Sequence, residues 1–518
     1  MSRLLRSGAV ISAMTMISRI MGLIRDQVVA RYFPVDGATD AFFVAFKIPN
    51  LLRRMFAEGA FSLAFVPILS EYKETKSREA LQDLIDHVAG ALALILFVVT
   101  LIGIVAAPLL IWVFAPGFGS QPEAQPELAA DLLRITFPYI LFISLAALVT
   151  GILNTFSKFA IPALTPVLLN IIMIIAAIWA APYFEQPIMA LAWGVFFAGI
   201  AQLVFQLPTL YKLGLMPKFK FKRVHEGVSR IMKLMLPAIF GSSVAQLNLL
   251  LNTIIASYLV VGSVSWLYFS DRFVELPLAI IGVAIGTVIL PRLSSNHATK
   301  NESEFRQTLD WALKLGLIIA LPATVGLILL AEPILATVMM YGAYTWRDVE
   351  MSGLSLMTYA LGLPAFILVK LLAPGFYSRQ DTKTPVRIGV IAVVSNMVFN
   401  LVIVLPWYWS GWVGAHAGLA LATALAGFVN AGLLYRALRR DQVLSTSTGW
   451  SKYLVQLLAA CVVSGLAVWL LMPVETWWQS ASALHRIGAL SGLVVVSLVS
   501  YVLTLQLVGV KLRQMLAR

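Results

Sequence analysis

Ala91–Phe114 reads ALALILFVVTLIGIVAAPLLIWVF, with no charged side chain from end to end. At 1.5 Å of rise per residue, about 20 such residues cross the ~30 Å hydrocarbon core of a bilayer as one helix. Runs of this kind recur on both sides of it, separated by short polar breaks. They lie near 8–32, 39–70, 85–114, 131–154, 160–183, 187–210 and 230–259 in the first half. The second half adds 264–292, 311–341, 351–377, 386–406, 412–435, 450–472 and 487–509. The reading is therefore an all-α integral membrane protein of about fourteen transmembrane helices.

Composition excludes the alternatives. Of 518 residues, 60% are hydrophobic and 12% charged, a balance that would leave a water-soluble domain covered in apolar patches. The net charge of +13 does not point to nucleic acid, because the basic residues are scattered through short loops instead of forming one stripe with interleaved aromatics. Their distribution fits membrane orientation instead. Lys73, Lys76 and Arg78, the group Lys212, Lys218, Lys220, Lys222 and Arg223, and the group Arg436, Arg439 and Arg440 fall in one set of alternating loops. Basic loops resist translocation, which predicts a multi-pass membrane protein with both termini cytoplasmic.

The lone cysteine, Cys461, sits in an apolar run and is expected to pack. His87, His225, His297, His416 and His485 are dispersed, with no metal-ligand spacing, so neither a metal nor a cofactor is expected.

Phe65-Val66-Pro67-Ile68-Leu69-Ser70 is echoed 224 residues later by Ile289-Leu290-Pro291-Arg292-Leu293-Ser294. Ala106-Ala107-Pro108-Leu109-Leu110 recurs at nearly that offset as Ala331-Glu332-Pro333-Ile334-Leu335, and Gly117 is matched by Gly342. Units that each cross an even number of times enter from the same side, so the two six-helix lobes are related by a pseudo-two-fold axis along the membrane normal. The expected organisation is an N-lobe at 1–223, a C-lobe at 224–445 and two extra C-terminal helices at 446–518.

Ionisable residues stand inside these spans: Arg19, Arg25, Asp26, Asp40, Lys47, Arg53, Arg54, Glu58, Asp271, Arg272, Glu275 and Lys370. Each costs about 2.5–3.5 kcal/mol at a helix centre, so a dozen of them facing lipid is untenable. Some can snorkel, or pair locally as Arg25 with Asp26 and Asp271 with Arg272. As a set they imply a wet, cationic interior. Ser18, Gly22 and Arg25 share one helix face, and so do Asp271 and Glu275. Arginine dominates, and its planar fork suits phosphate oxygens, so the expected ligand is an anion such as a diphosphate-bearing headgroup. Pro49, Asn50 and Gly59 are expected to break the second span.

Several stretches resemble the MurJ (MviN) lipid II flippases of the multidrug, oligosaccharide-lipid and polysaccharide exporter superfamily. They are Ser18–Asp26 (SRIMGLIRD), Thr39–Arg54 (TDAFFVAFKIPNLLRR), Ala57–Ser62 (AEGAFS), Tyr268–Arg272 (YFSDR) and Ala373–Asp381 (APGFYSRQD). The resemblance runs from the first helix to the last. It implies two six-helix lobes around a cationic cavity, with helices thirteen and fourteen forming a groove for the undecaprenyl tail. It carries cavity roles to Ser18, Arg19, Arg25, Asp26, Asp40, Arg53 and Arg272, and more loosely to Arg54 and Glu275. Relatives with a sodium site use an acidic ligand on the seventh helix and polar ligands on the eleventh. The corresponding positions in this chain are the neutral Asn248, Asn252, Asn396 and Asn400, a departure that makes membrane potential an alternative driving force.

The function expected is alternating-access flipping of lipid II from the cytoplasmic to the periplasmic leaflet, with no bond made or broken. The partners expected are lipid II, membrane lipids and cell-wall synthesis proteins, the chain acting as a monomer without nucleic acid. Two other transport readings stand beside it: export of another polyprenyl-linked glycan, or cation-coupled drug export, the latter opposed by a cationic cavity. A polyprenyl-phosphate enzyme would need clustered acids for Mg²⁺, which the cytoplasmic loops lack.

Overall fold

A computed structural model describes residues 3–121, 123–221, 225–284, 289–299, 301–444 and 449–510, with the side chains of 3–13, 57–58, 236–238, 240–245 and 280–284 left aside. Every regular element among the described residues is helical. The chain divides into two compact units, Met1–Ser265 and Trp266–Arg518.

The first unit contains α1 (Arg3–Tyr32), α2 (Gly37–Arg53), α3 (Ser62–Thr75), α4 (Arg78–Val105), α5 (Ala107–Phe114), α6 (Pro126–Thr136), α7 (Tyr139–Thr155), α8 (Ala160–Ile175), α9 (Met189–Lys212) and α10 (Glu226–Ala256). Helix α11 (Ser263–Ala284) starts at its edge. The second unit holds α12 (Leu290–Ala298), α13 (Glu302–Leu329), α14 (Ala331–Val338), α15 (Trp346–Leu361), α16 (Leu363–Tyr377), α17 (Lys383–Phe399) and α18 (Leu405–Trp409). It ends with α19 (His416–Arg440), α20 (Trp450–Leu471), α21 (Glu475–Ser480) and α22 (Ala483–Leu507). By length and composition, nine helical stretches among the described residues qualify as membrane spans, and the pair α15 and α16, bent by 41°, makes a tenth.

Local chemistry sets the helix starts. Asp36 accepts hydrogen bonds from the N–H groups of Ala38 and Thr39 at 3.0 Å each, Ser77 does the same for Ala80, and Thr345 with Asp348 forms a reciprocal capping box at the head of α15. The break expected at Pro49 takes another form. Helix α2 runs through Pro49, and the distortion falls next to it as a π-helical turn over Arg54–Phe61 that contains Gly59. Pro49 has no N–H to give the Ala45 carbonyl, and the Thr136 hydroxyl of α6 donates to that oxygen at 3.3 Å instead. A neighbouring helix thus satisfies what proline leaves over, as a membrane interior demands.

The internal repeat is visible in helix lengths. α4 and α13 each have 28 residues, and each is followed after one break by an eight-residue helix, α5 and α14, at the echoed Ala-x-Pro motifs. In the second unit α20 and α22 pack side by side, and Cys461 is buried with Leu457, Tyr501 and Leu505 against Leu317 and Ile318 of α13. Their outward faces expose Leu466, Leu470, Val495 and Leu498, apolar surface suited to lipid.

Candidate functional site

Arg25 is the most constrained of the expected cavity cations, with only 5% of its surface exposed. Helix α1 packs on α8, and that contact brings Asn170 to it. The guanidinium donates Nε and Nη2 to Oδ1 of Asp26 at 2.9 and 2.6 Å, and Nη1 to Oδ1 of Asn170 at 3.1 Å. The Asn170 amide donates in turn to the Ser18 carbonyl at 3.2 Å, tying Ser18, Arg25 and Asp26 into one network. A buried guanidinium needs such a counter-charge and acceptors, since isolation from water would otherwise cost several kcal/mol. Arg19 lies half-buried on the same helix.

The α2 charges are distributed differently. Lys47 donates to the Thr253 hydroxyl of α10 at 3.1 Å, Arg53 donates through Nε to Asn50 Oδ1 at 3.4 Å, and Arg54 is exposed within the π-helical turn. Asp40 is buried, and its carboxylate accepts from Gly262 N at 2.7 Å, Ser265 N at 2.9 Å and the Ser265 hydroxyl at 2.5 Å. It thereby fixes the turn that leads into α11. The side chain of Glu58 lies outside the described residues.

In the second unit Arg272 stacks over the Tyr268 ring at 4.6 Å, donates to the Tyr268 hydroxyl at 2.9 Å, and pairs with Glu275 at 3.4 Å. Lys370 is exposed and Asp271 partly so. Asn400 donates to Asn396 Oδ1 at 3.0 Å, and Asn396 donates to the Thr423 hydroxyl at 3.3 Å, a buried chain of neutral groups between α17 and α19. Asn248 and Asn252 are partly buried on α10 in the first unit.

Asn170, Thr253 and Tyr268 contact the expected site residues, and the charge pattern alone does not single them out. Asn170 did carry a signal: it is the one amide in the apolar run Val167–Ile175.

The model of the family "Lipid II flippase MurJ" matches residues 29–487. The chain belongs to the lipid II flippase MurJ family. It is similar to the probable lipid II flippase MurJ of Vibrio cholerae serotype O1, at 44% identity over 99% of this chain and 98% of that one. It is likewise similar to the lipid II flippase MurJ of Burkholderia cenocepacia, at 41% identity over 98% of both. A solved MurJ structure in an inward closed conformation superposes with a TM-score of 0.79 at 28% identity, covering 95% of this chain and 97% of that one. A multidrug resistance transporter of the MATE family in an inward-facing conformation shares the fold alone, with a TM-score of 0.67 at 15% identity over 84% of this chain and 98% of that one. MurJ membership thus agrees with the helical architecture and with the resemblance read from the Thr39–Arg54 and Tyr268–Arg272 stretches.

Proposed function

We propose that this chain moves lipid II across the bacterial inner membrane by alternating access, holding the headgroup diphosphate on arginines from both repeats. As a MurJ family member it is a membrane flippase, a transporter and not a catalyst of bond chemistry. The finer reading is ours: Arg19, Arg25, Arg53 and Arg272 receive the diphosphate, Ser18, Asp26 and Asp40 position the helices around them, and Arg54 and Glu275 act at the margin. The lobes are residues 1–223 and 224–445, residues 446–518 guide the polyprenyl tail, and fourteen crossings leave both termini in the cytoplasm.

The observation that carries the proposal is the buried Arg25 held by Asp26 and Asn170. Asp26 and Asn170 hold the guanidinium by hydrogen bonds that a diphosphate can replace, so a cation is stored at low dielectric cost until an anion arrives. The Arg272 guanidinium is stacked on Tyr268 and paired with Glu275, and its planar fork suits bidentate phosphate contact once phosphate takes the place of Glu275. The sugar and peptide cross within a polar interior while the tail stays in lipid, so no polar group has to enter hydrocarbon.

The test is reconstitution into vesicles with lipid II in the outer leaflet, read by the fraction reaching the opposite leaflet. Time-dependent transfer that fails in Arg25→Ala and Arg272→Ala, with both variants inserted normally, is the expected result. Transfer at the wild-type rate by either variant removes the diphosphate role. In cells, depletion is expected to leave lipid II on the cytoplasmic face.

A further inference from the structure

Outside the arginine network, the first unit brings together a group of titratable side chains that the proposed diphosphate contacts do not include. Asp83 and His87 stand four apart near the start of α4 and so share a face. The segment after α9 is laid along this face: Asp86 accepts from Lys218 N through its carboxylate at 2.9 Å and from Lys220 N through its carbonyl at 3.2 Å. Gly90 makes the approach possible, because a Cβ there would lie 2.2 Å from the Lys220 carbonyl oxygen. The result is that His225, at the head of α10, arrives beside Asp83. Its Nε2 is 3.4 Å from Asp83 Oδ2, and its ring stacks on His87 with centroids 4.8 Å apart and planes inclined by 27°.

We propose that Asp83, His87 and His225 form a binding site for a divalent transition-metal ion of the zinc class, joining the start of α4 to the start of α10. One ligand atom from each residue lies within 4.8 Å of the other two. Tetrahedral zinc with ligands at about 2.0–2.2 Å needs ligand atoms roughly 3.4 Å apart, so the three groups draw together on binding. Two imidazoles and a carboxylate suit zinc, cobalt or nickel, not the all-oxygen preference of magnesium or calcium.

Both imidazoles must change partners to bind. His87 Nδ1 is 2.8 Å from the Asp83 carbonyl and 3.5 Å from Asp83 Oδ2, so ligation beside this carboxylate through Nδ1 releases its hydrogen bond to the α4 backbone. His225 Nδ1 instead accepts from Gly227 N at 3.1 Å, capping α10. Ligation through its Nε2 moves the proton to Nδ1 and releases the cap, so metal occupancy is coupled to the first turn of α10. Lys220 competes, its ammonium lying 2.7 Å from Asp83 Oδ1 and 3.4 Å from Asp86 Oδ2.

The test uses the full chain in detergent without an oligohistidine tag, stripped with chelator and titrated with Co²⁺. Expected are one saturable equivalent with the visible absorption of a four- or five-coordinate ion, displacement by Zn²⁺, and no displacement by millimolar Mg²⁺. His87→Gln and His225→Gln each weaken binding at least tenfold, whereas His297→Gln leaves it unchanged. Lys220→Met strengthens binding at least threefold by freeing the carboxylate, and weaker binding in that variant counts against the site. Wild-type chain that binds no stoichiometric Co²⁺, or a His87→Gln/His225→Gln double variant that binds as well as wild type, overturns the proposal.

Discussion

The Asp40 carboxylate receives the Ser265 hydroxyl at 2.5 Å across 225 residues of chain. The same carboxylate takes the N–H groups of Ser265 and of Gly262, which sits in a left-handed turn at φ +99. One buried side chain on α2 thus sets where α11 begins, and α11 carries Tyr268, Arg272 and Glu275 further along.

Asp40→Ala leaves two backbone donors and a hydroxyl without an acceptor, and each buried donor left unsatisfied costs about 1–3 kcal/mol. We expect a loss of about 3 kcal/mol or more, read as a fall in the unfolding temperature of the detergent-purified protein. Asp40→Asn keeps one acceptor oxygen and should lose roughly half as much. Gly262→Ala strains a left-handed turn and costs about 1–2 kcal/mol. An Ala variant as stable as wild type removes the anchoring role.

Arg25 directs Nε and Nη2 to Asp26 and Nη1 to Asn170, contacts that a lysine ammonium on a flexible stem cannot reproduce together. Arg25→Lys is therefore expected to lower lipid II transfer at least tenfold while membrane insertion stays normal. Asn170→Ala removes the Nη1 bond and should cost about three- to tenfold. Arg54→Ala, at an exposed position, should stay within about twofold. Equal rates for Arg25→Lys and wild type would mean that charge alone suffices.

Much of this was legible in the chain. Apolar runs such as Ala91–Phe114 announce spans because the period and length of a buried helix are local properties. The 28- and eight-residue helix pairs, echoed at Ala106-Ala107-Pro108 and Ala331-Glu332-Pro333, follow from motifs that a self-comparison finds. What stays hidden is the partner of each polar group. That Thr136 completes the Ala45 carbonyl, that Asn170 meets Arg25, or that His225 stacks on His87 depends on helix packing over long sequence separations, where spacing carries no information. Pro49 shows the same limit: the sequence marks a weak point, but packing decides that the helix widens at Arg54–Phe61 instead of ending.

Tyr268 gives Arg272 both a ring face at 4.6 Å and a hydroxyl at 2.9 Å. A cation–π contact is worth about 0.5–2 kcal/mol and a hydrogen bond to a charged group about 1.5–3 kcal/mol. If the stack orients the guanidinium for phosphate, Tyr268→Phe should weaken lipid II binding about threefold and Tyr268→Ala at least tenfold. Titration of the purified protein with lipid II in nanodiscs measures both. A larger loss for Phe than for Ala contradicts the stacking role.

The last expectation concerns the driving force. Asn396, Asn400 and Thr423 form a buried chain of neutral amide and hydroxyl groups. A hard cation is held best where carboxylate charge offsets its dehydration, whereas the groups joined in these contacts are amides and a hydroxyl. An electrical driving force acts on the net charge that moves, at about 2.3 kcal/mol per elementary charge per 100 mV. An anionic headgroup leaving a cell that is negative inside moves down that gradient, so inside-negative vesicles should speed outward transfer whenever the arginines neutralise less than the full diphosphate charge. We expect at least a threefold rise in initial rate on imposing an inside-negative potential of about 100 mV. Replacing sodium by choline at fixed potential should change the rate less than twofold. A rate that follows sodium and ignores the potential would show that the amides, with ligands supplied from elsewhere in the chain, hold a coupling ion after all.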